Sequence, residues 1–226
     1  MSERSTGGGS SAPRFLVVLD VDSTLIENEA IELLAAEAGT LEHVARVTER
    51  AMRGELDFSA SLVERVATLR GLDSAVFDAV APRIVVTTGV PELIDGVHGA
   101  GGVVCVVSGG FHELLDPLAT RLGLDGWRAN RLMVTDSILT GEVDGPIIDA
   151  EAKAETLREW AADWDIPLER TVAIGDGAND LRMMSAAGLG VAFDAKPAVR
   201  AAADVVLRER DLTSVLPLLG LPRLRP

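Results

Sequence analysis

The sequence predicts an α/β fold, a doubly wound parallel sheet with an inserted helical cap, and three observations lead there. Short unbroken apolar runs recur along the chain and stop at acidic, hydroxyl or glycine residues. Helical patterns separate the later runs. The stretch 27–88, between the first two runs, has helical periodicity and no such run inside it.

A parallel strand is covered by helices on both faces, so it reads as continuous Val, Ile and Leu rather than as alternation. Phe15 to Leu19 (FLVVL) fits this and stops at Asp20; Val103 to Val107, Thr171 to Ile174, Leu189 to Ala192 and Val205 to Leu207 follow. Helices are expected over His112 to Leu122, Ala150 to Trp164 and Asp180 to Ala187, which completes the βαβ alternation. In the insert, Ile31, Leu34, Ala35 and Ala38 share a helical face ending at Gly39, and Leu62, Val66 and Leu69 share one ending at Gly71. Met133 to Gly145 alternates around turn-formers, the pattern of a hairpin. The expected organisation is a core of 14–26 and 89–220, a cap of 27–88 over the strand ends, a flexible Gly/Ser-rich tail of 1–13 and a frayed tail of 221–226.

The 226 residues, 47% apolar and 25% charged, suffice for a sizeable globular core. A net charge of −14 repels nucleic acid and anionic membrane surfaces, so neither is expected as a partner. No run approaches the roughly 18 apolar residues of a membrane span, and the first residues hold no signal-peptide core. The single cysteine, Cys105, lies in an apolar run and cannot form an internal disulfide, which fits a reducing cytoplasm. His43, His98 and His112 are scattered without metal-ligand spacing.

Ligands of open α/β sheets bind outside the carboxyl ends of the strands, a rule that sorts the polar residues. Asp20-Val21-Asp22-Ser23-Thr24 follows the first run, Ser108-Gly109-Gly110 the second, and Gly175-Asp176-Gly177-Ala178-Asn179-Asp180 the third; Lys153 adds a cation in the first turn of a helix starting near Asp149. Singly, each has a plain explanation. An Asp after a strand is usually a turn residue or cap, Ser-Gly-Gly a loop, a lysine solvated, and GDGAND a calcium-type turn or hairpin. Together, in this order at successive strand ends, the plain explanations require independent coincidences.

On DVDST, SGG, Lys153 and GDGAND the chain resembles the haloacid dehalogenase superfamily of aspartate-nucleophile phosphatases. The stretches DVDSTLIENE (20–29), AMRGELDFSASLVERVATLRGL (51–72), VSGGF (107–111), LTGEVDGPIIDAEAKAETL (139–157) and AIGDGANDLRMMSAAGLGVAFDAKP (173–197) are similar to those members that hydrolyse O-phosphoserine to serine and phosphate, the last step of serine biosynthesis. The resemblance implies Asp20 as nucleophile and Asp22 as general acid and base. It implies Mg²⁺ held by Asp20, Asp176 and the Asp22 main-chain carbonyl. Ser108, Gly109, Lys153 and Asn179 would grip the phosphoryl group, with Asp180 and Gly110 in support. From the cap, Glu29 would meet the substrate ammonium and Arg65 its carboxylate, with Met52 and Phe58 walling the pocket. Some members carry an amino-terminal regulatory ACT domain; only a short tail precedes the first run here, a departure that puts regulation of that kind in doubt.

Two rival readings stay open at this point. A sister phosphatase of other small-molecule specificity would be separated by a substrate panel. A phospho-accepting receiver also uses aspartates, a hydroxyl, a lysine and Mg²⁺ on a doubly wound sheet, but it needs no cap, and here the acidic GDGAND follows the lysine.

Overall fold

The computed structural model describes residues 14–53 and 55–223. Strand β1 (Leu16–Leu19) leads through the turn Val21–Leu25 into four helices, α1 (Ala30–Glu37), α2 (Leu41–Met52), α3 (Phe58–Ala67) and α4 (Val76–Val80). Helix α5 (Val90–Gly99) then precedes β2 (Val103–Phe111), α6 (His112–Leu122), β3 (Gly126–Thr135) and β4 (Ile138–Asp144). The chain continues through α7 (Ala150–Asp163), β5 (Thr171–Gly175), α8 (Leu181–Ala186), β6 (Leu189–Phe193), α9 (Pro197–Ala202) and β7 (Val205–Leu207) to a tight helical segment, Leu212–Leu219.

The strands form one sheet in the order β4-β3-β2-β1-β5-β6-β7, parallel except for β4 against β3. Because β1 is central, all four of its side chains are fully buried, and their alternation sends them to opposite layers. Val17 and Leu19 join α5, α6 and the Leu212–Leu219 segment on one face. Leu16 and Val18 join Cys105, α7 and α8 on the other. Both layers are apolar, which is why the strands read as unbroken hydrophobic runs. Asp149 caps α7 by accepting a hydrogen bond from Ala152 N at 3.0 Å, so the helix begins one residue after the aspartate that signalled it.

The four helices between β1 and α5 build a third apolar cluster of their own: Ile31, Leu34, Val44, Leu62, Val66, Leu69 and Val80 pack together and onto Phe111, Leu132 and Leu139. Two connections tie this layer to the sheet. At the neck the outgoing and returning segments pair, Glu27 N donating to Val85 O (2.8 Å) and Thr87 N to Leu25 O (3.0 Å). On the far side, the segment after α3 adds to the free edge of β4: Gly71 N donates to Leu139 O (2.9 Å), Leu139 N to Leu72 O (2.8 Å) and Ser74 N to Ser137 O (2.8 Å).

The hairpin expected over Met133 to Gly145 is β3–β4, turned by Asp136 and Ser137 at φ +51° and +63°, the two left-handed residues of a tight hairpin turn. Its first strand starts earlier than expected, at Gly126, and doubles as a parallel neighbour of β2. Three further details differ from the sequence reading. Ser108 to Gly110 continue β2 rather than follow it, with the β2–β3 register shifting between Val107 and Phe111. Helices α2, α4 and α5 are additional to the expected ones; in α5, Val90, Leu93, Ile94 and Val97 recur at helical spacing and Pro91 opens the first turn. Residues 221–223 are held, not frayed: Leu221 N donates to Leu216 O (2.9 Å), and Arg223 donates to Thr213 Oγ1 (3.0 Å) and Asp211 Oδ2 (2.8 Å). The tail 1–13 and residues 224–226 lie outside the described residues.

Candidate active site

With β1 between β2 and β5, the residues following these strands meet at one edge of the sheet. Asp20 is anchored there by its amide, which donates to Ile174 O at 2.9 Å, and its side chain is buried. Lys153, with no solvent exposure at all, reaches in from the first turn of α7. Its Nζ donates to Asp20 Oδ1 at 2.5 Å and to Asp180 Oδ1 at 2.7 Å, while Asp180 Oδ2 accepts from Gly177 N at 2.9 Å. Oxygens of Asp20, Asp176 and Asp180 all lie within 4.8 Å of one another.

Charge balance is the dominant property of this cluster. Burial works against the Lys153 ammonium, but Asp180 and Asp20 outweigh it and raise its pKa, so it stays charged. Burial, followed by Asp180, raises Asp20 well above the carboxylate range against the pull of Lys153, and the same two causes push Asp176 up to about 6. Three carboxylates thus share one buried ammonium. The surplus negative charge and the all-oxygen donors fit a hard divalent cation.

Asp22 divides its two oxygens. Oδ1 accepts from Ala30 N, the first residue of α1, at 2.7 Å, and Oδ2 is left facing Ser108 Oγ at 3.5 Å. Burial, then Glu29, pushes its carboxyl up to about 7, against the Ala30 amide and Lys153. Buried Ser108 accepts from Gly110 N at 2.7 Å. Gly110 cannot carry a side chain here, because a Cβ would stand 2.8 Å from Asp22 Oδ2 and 3.0 Å from Ser108 Oγ. At Gly109 a Cβ would stand 2.6 Å from the Phe58 ring, so α3 of the helical layer rests directly on the SGG segment. Asn179, half-buried, folds its side-chain oxygen against Gly177.

From above, Glu29 is fixed by Ser23, whose Oγ donates to Glu29 Oε1 at 2.7 Å from a left-handed backbone (φ +59°). Arg65 is half-buried and its Nε donates to Ser61 O at 3.2 Å. Burial lowers its pKa, while Glu29, Asp22 and Glu32 act the other way, so the guanidinium sits in the field of the acidic residues below it. The structure therefore brings together Asp20, Asp22, Glu29, Phe58, Arg65, Ser108, Gly109, Gly110, Lys153, Asp176, Asn179 and Asp180. The Met52 side chain lies outside the described residues. Two residues to which the sequence reading gives no role also belong here: Ser23, and Asn130 on β3, whose buried amide donates to Gly109 O and accepts from Ile148 N, both at 2.8 Å. An Asn in a strand is disfavoured, and this was the one available signal.

The model of the haloacid dehalogenase-like hydrolases matches residues 17–185. The chain belongs to that family. The similar proteins within it carry a narrower name: a phosphoserine phosphatase of Mycobacterium tuberculosis is 51% identical over 208 residues, and one of Streptococcus thermophilus is 50% identical over 204. The match spans 92% and 90% of this chain; it takes in about half (51%) of the mycobacterial protein and 95% of the streptococcal one. A solved substrate-bound phosphoserine phosphatase complex superposes with a TM-score of 0.86 at 42% identity, over 92% of this chain and 99% of that one. A phospho-aspartyl intermediate analogue of phosphoserine phosphatase superposes equally well, at 0.86 and 42%, over 93% and 100% of the two chains.

Proposed function

We propose that this chain hydrolyses O-phosphoserine to serine and phosphate through an aspartyl-phosphate on Asp20. The carrying observation is the buried lysine clamped between Asp20 and Asp180, with Asp176 beside them, beneath a layer that supplies Glu29 and Arg65. Relatives named phosphoserine phosphatase at about half identity support the substrate.

In this reading Asp20 attacks phosphorus in line with the serine oxygen. Asp22 Oδ2, the oxygen the Ala30 amide leaves free, gives its proton to the departing alkoxide and then takes one from the water that cleaves the acyl phosphate. Lys153, bonded to Asp20, offsets phosphoryl charge, and the Ser108 hydroxyl, the Gly109 amide and Asn179 hold the phosphoryl oxygens. Glu29 and Arg65 meet the ammonium and carboxylate of the serine part; Arg suits the latter because its planar fork donates two parallel bonds. Phe58 walls the pocket. Mg²⁺ would be held by Asp20, Asp176 and the Asp22 carbonyl, and when bound it neutralises phosphoryl charge. The cap 27–88 and core 14–26 with 89–220 are the working units. One buried thiol fits a reducing cytoplasm, and a small anionic substrate rather than nucleic acid or membrane fits the net charge.

The test is phosphate release from a panel of phosphorylated amino acids, sugars and nucleotides, with Mg²⁺ and in excess chelator. Phosphoserine should lead by at least an order of magnitude and require the metal. Equal rates across the panel, or full turnover in chelator, would remove the specificity or the metal from the mechanism.

A further inference from the structure

Asn130 lies outside the reacting set, yet it holds two segments that belong to it. Its partners fix its orientation without ambiguity, since a carbonyl can only accept and a backbone N–H can only donate. Nδ2 donates to Gly109 O, on the phosphate-facing segment of β2, and Oδ1 accepts from Ile148 N, two residues before the start of α7 and its Lys153. The side chain is 1% exposed, so neither bond has water as a substitute.

The bond to Gly109 bears on Ser108. Gly109 O and Gly110 N are the two ends of one trans peptide, and so point in opposite directions. Asn130 holds the carbonyl end; the N–H end donates to Ser108 Oγ at 2.7 Å. With that lone pair occupied, the hydroxyl proton of Ser108 is directed away from Gly110 and into the site, where Asp22 Oδ2 stands at 3.5 Å. We infer that Asn130 is a positioning residue for phosphoryl transfer: through the Gly109–Gly110 peptide it sets Ser108 as a hydrogen-bond donor to the phosphoryl group. This rests on the proposed phosphatase reading, which assigns Ser108 to the phosphate.

Asn130→Asp tests it with minimal change of shape. The acceptor for Ile148 N is kept, whereas the donor to Gly109 is replaced by an oxygen facing an oxygen. Leaving the buried Gly109 carbonyl without its donor should cost about 5- to 150-fold in activity. The expected loss is therefore in kcat, by the same factor for phosphoserine and for a small aryl phosphate, because the phosphoryl group is common to both. The decisive readout is a double-mutant cycle with Ser108→Ala. If Asn130 acts through Ser108, the double variant loses no more than about threefold beyond Ser108→Ala alone; a purely structural role gives losses that multiply. Rates are divided by the folded fraction measured by circular dichroism at the assay temperature, and Asn130→Ala serves as a second variant read in the same cycle. Multiplying losses, an unchanged kcat, or a loss confined to phosphoserine overturns the inference. A wild-type chain that releases phosphate from neither ester overturns the phosphatase reading itself, and this inference with it.

Discussion

An ammonium buried without water keeps its charge only where its neighbours outweigh the lost hydration, and Lys153 does so with carboxylates at 2.5 and 2.7 Å. Arg65 faces a milder version of the same problem, since it is half-buried and held charged by Glu29, Asp22 and Glu32. In the proposed reading, a substrate carboxylate would replace part of that acidic company with a partner suited to the guanidinium. Arg65→Ala should accordingly lower kcat/KM for phosphoserine by about 30-fold to several thousandfold, the equivalent of roughly 2–5 kcal/mol for an unpaired charge. Hydrolysis of a small aryl phosphate, which has no carboxylate, should change far less. Steady-state kinetics with both esters measure this, and equal losses would move Arg65 from recognition to folding of the cap. At this scale the sequence is informative for Asp20, Asp22, Asp176 and Lys153, because each follows a strand or opens a helix whose pattern is strong. For Asn130 it offers only an asparagine in a strand, because that residue's partners are backbone groups of Gly109 and Ile148 on distant segments.

Elements differ in legibility for a related reason. β1, β2, β5 and β6 are buried on both faces, so burial wrote itself into unbroken apolar runs. β3 begins GWRAN and carries half-exposed side chains, since it pairs with β2 along its first half and with β4 along its second, and no single period describes it. α4 is a five-residue helix, too short to establish a 3.6-residue pattern. The contact between α3 and β2 offers a test at this scale. Gly109→Ala would put a methyl group 2.6 Å from the end of the Phe58 ring, which can swing aside only by lifting away from the SGG segment. The expected result is a severalfold rise in KM for phosphoserine with Tm little altered, and partial recovery in the double variant Gly109→Ala/Phe58→Ala, where the ring is gone. A double variant worse than the single one would locate the damage in the Gly109 amide instead.

Across the molecule, acidic pKa values at the site couple metal, protons and stability. Asp20 is raised well above 3.8, Asp22 to about 7 and Asp176 to about 6, so the folded metal-free protein binds protons that the unfolded chain has released. For carboxyls with raised folded pKa, stability is full below the unfolded value and falls as pH rises through the folded one. Thermal melting in chelator should therefore give a lower Tm at pH 8 than at pH 5, with the share owed to Asp176 and Asp22 lost through about pH 6 and 7. Excess Mg²⁺ at pH 8 should restore it, because a ligand of the folded state adds stability by mass action. A Tm that rises from pH 5 to 8 in chelator would contradict this charge surplus. Attachment of the cap along two edges has a further consequence, for how often the site stands open. An opening that leaves the hairpin in place must break the three backbone hydrogen bonds between 71–74 and 137–139. At about 0.5–1.5 kcal/mol each, these make the open form a minor population, of order 0.1–10% of molecules. Any ligand that enters only the open form then binds with an apparent affinity reduced by that fraction, and a hairpin outside the candidate site contributes to the reduction through these bonds and through Leu132 and Leu139.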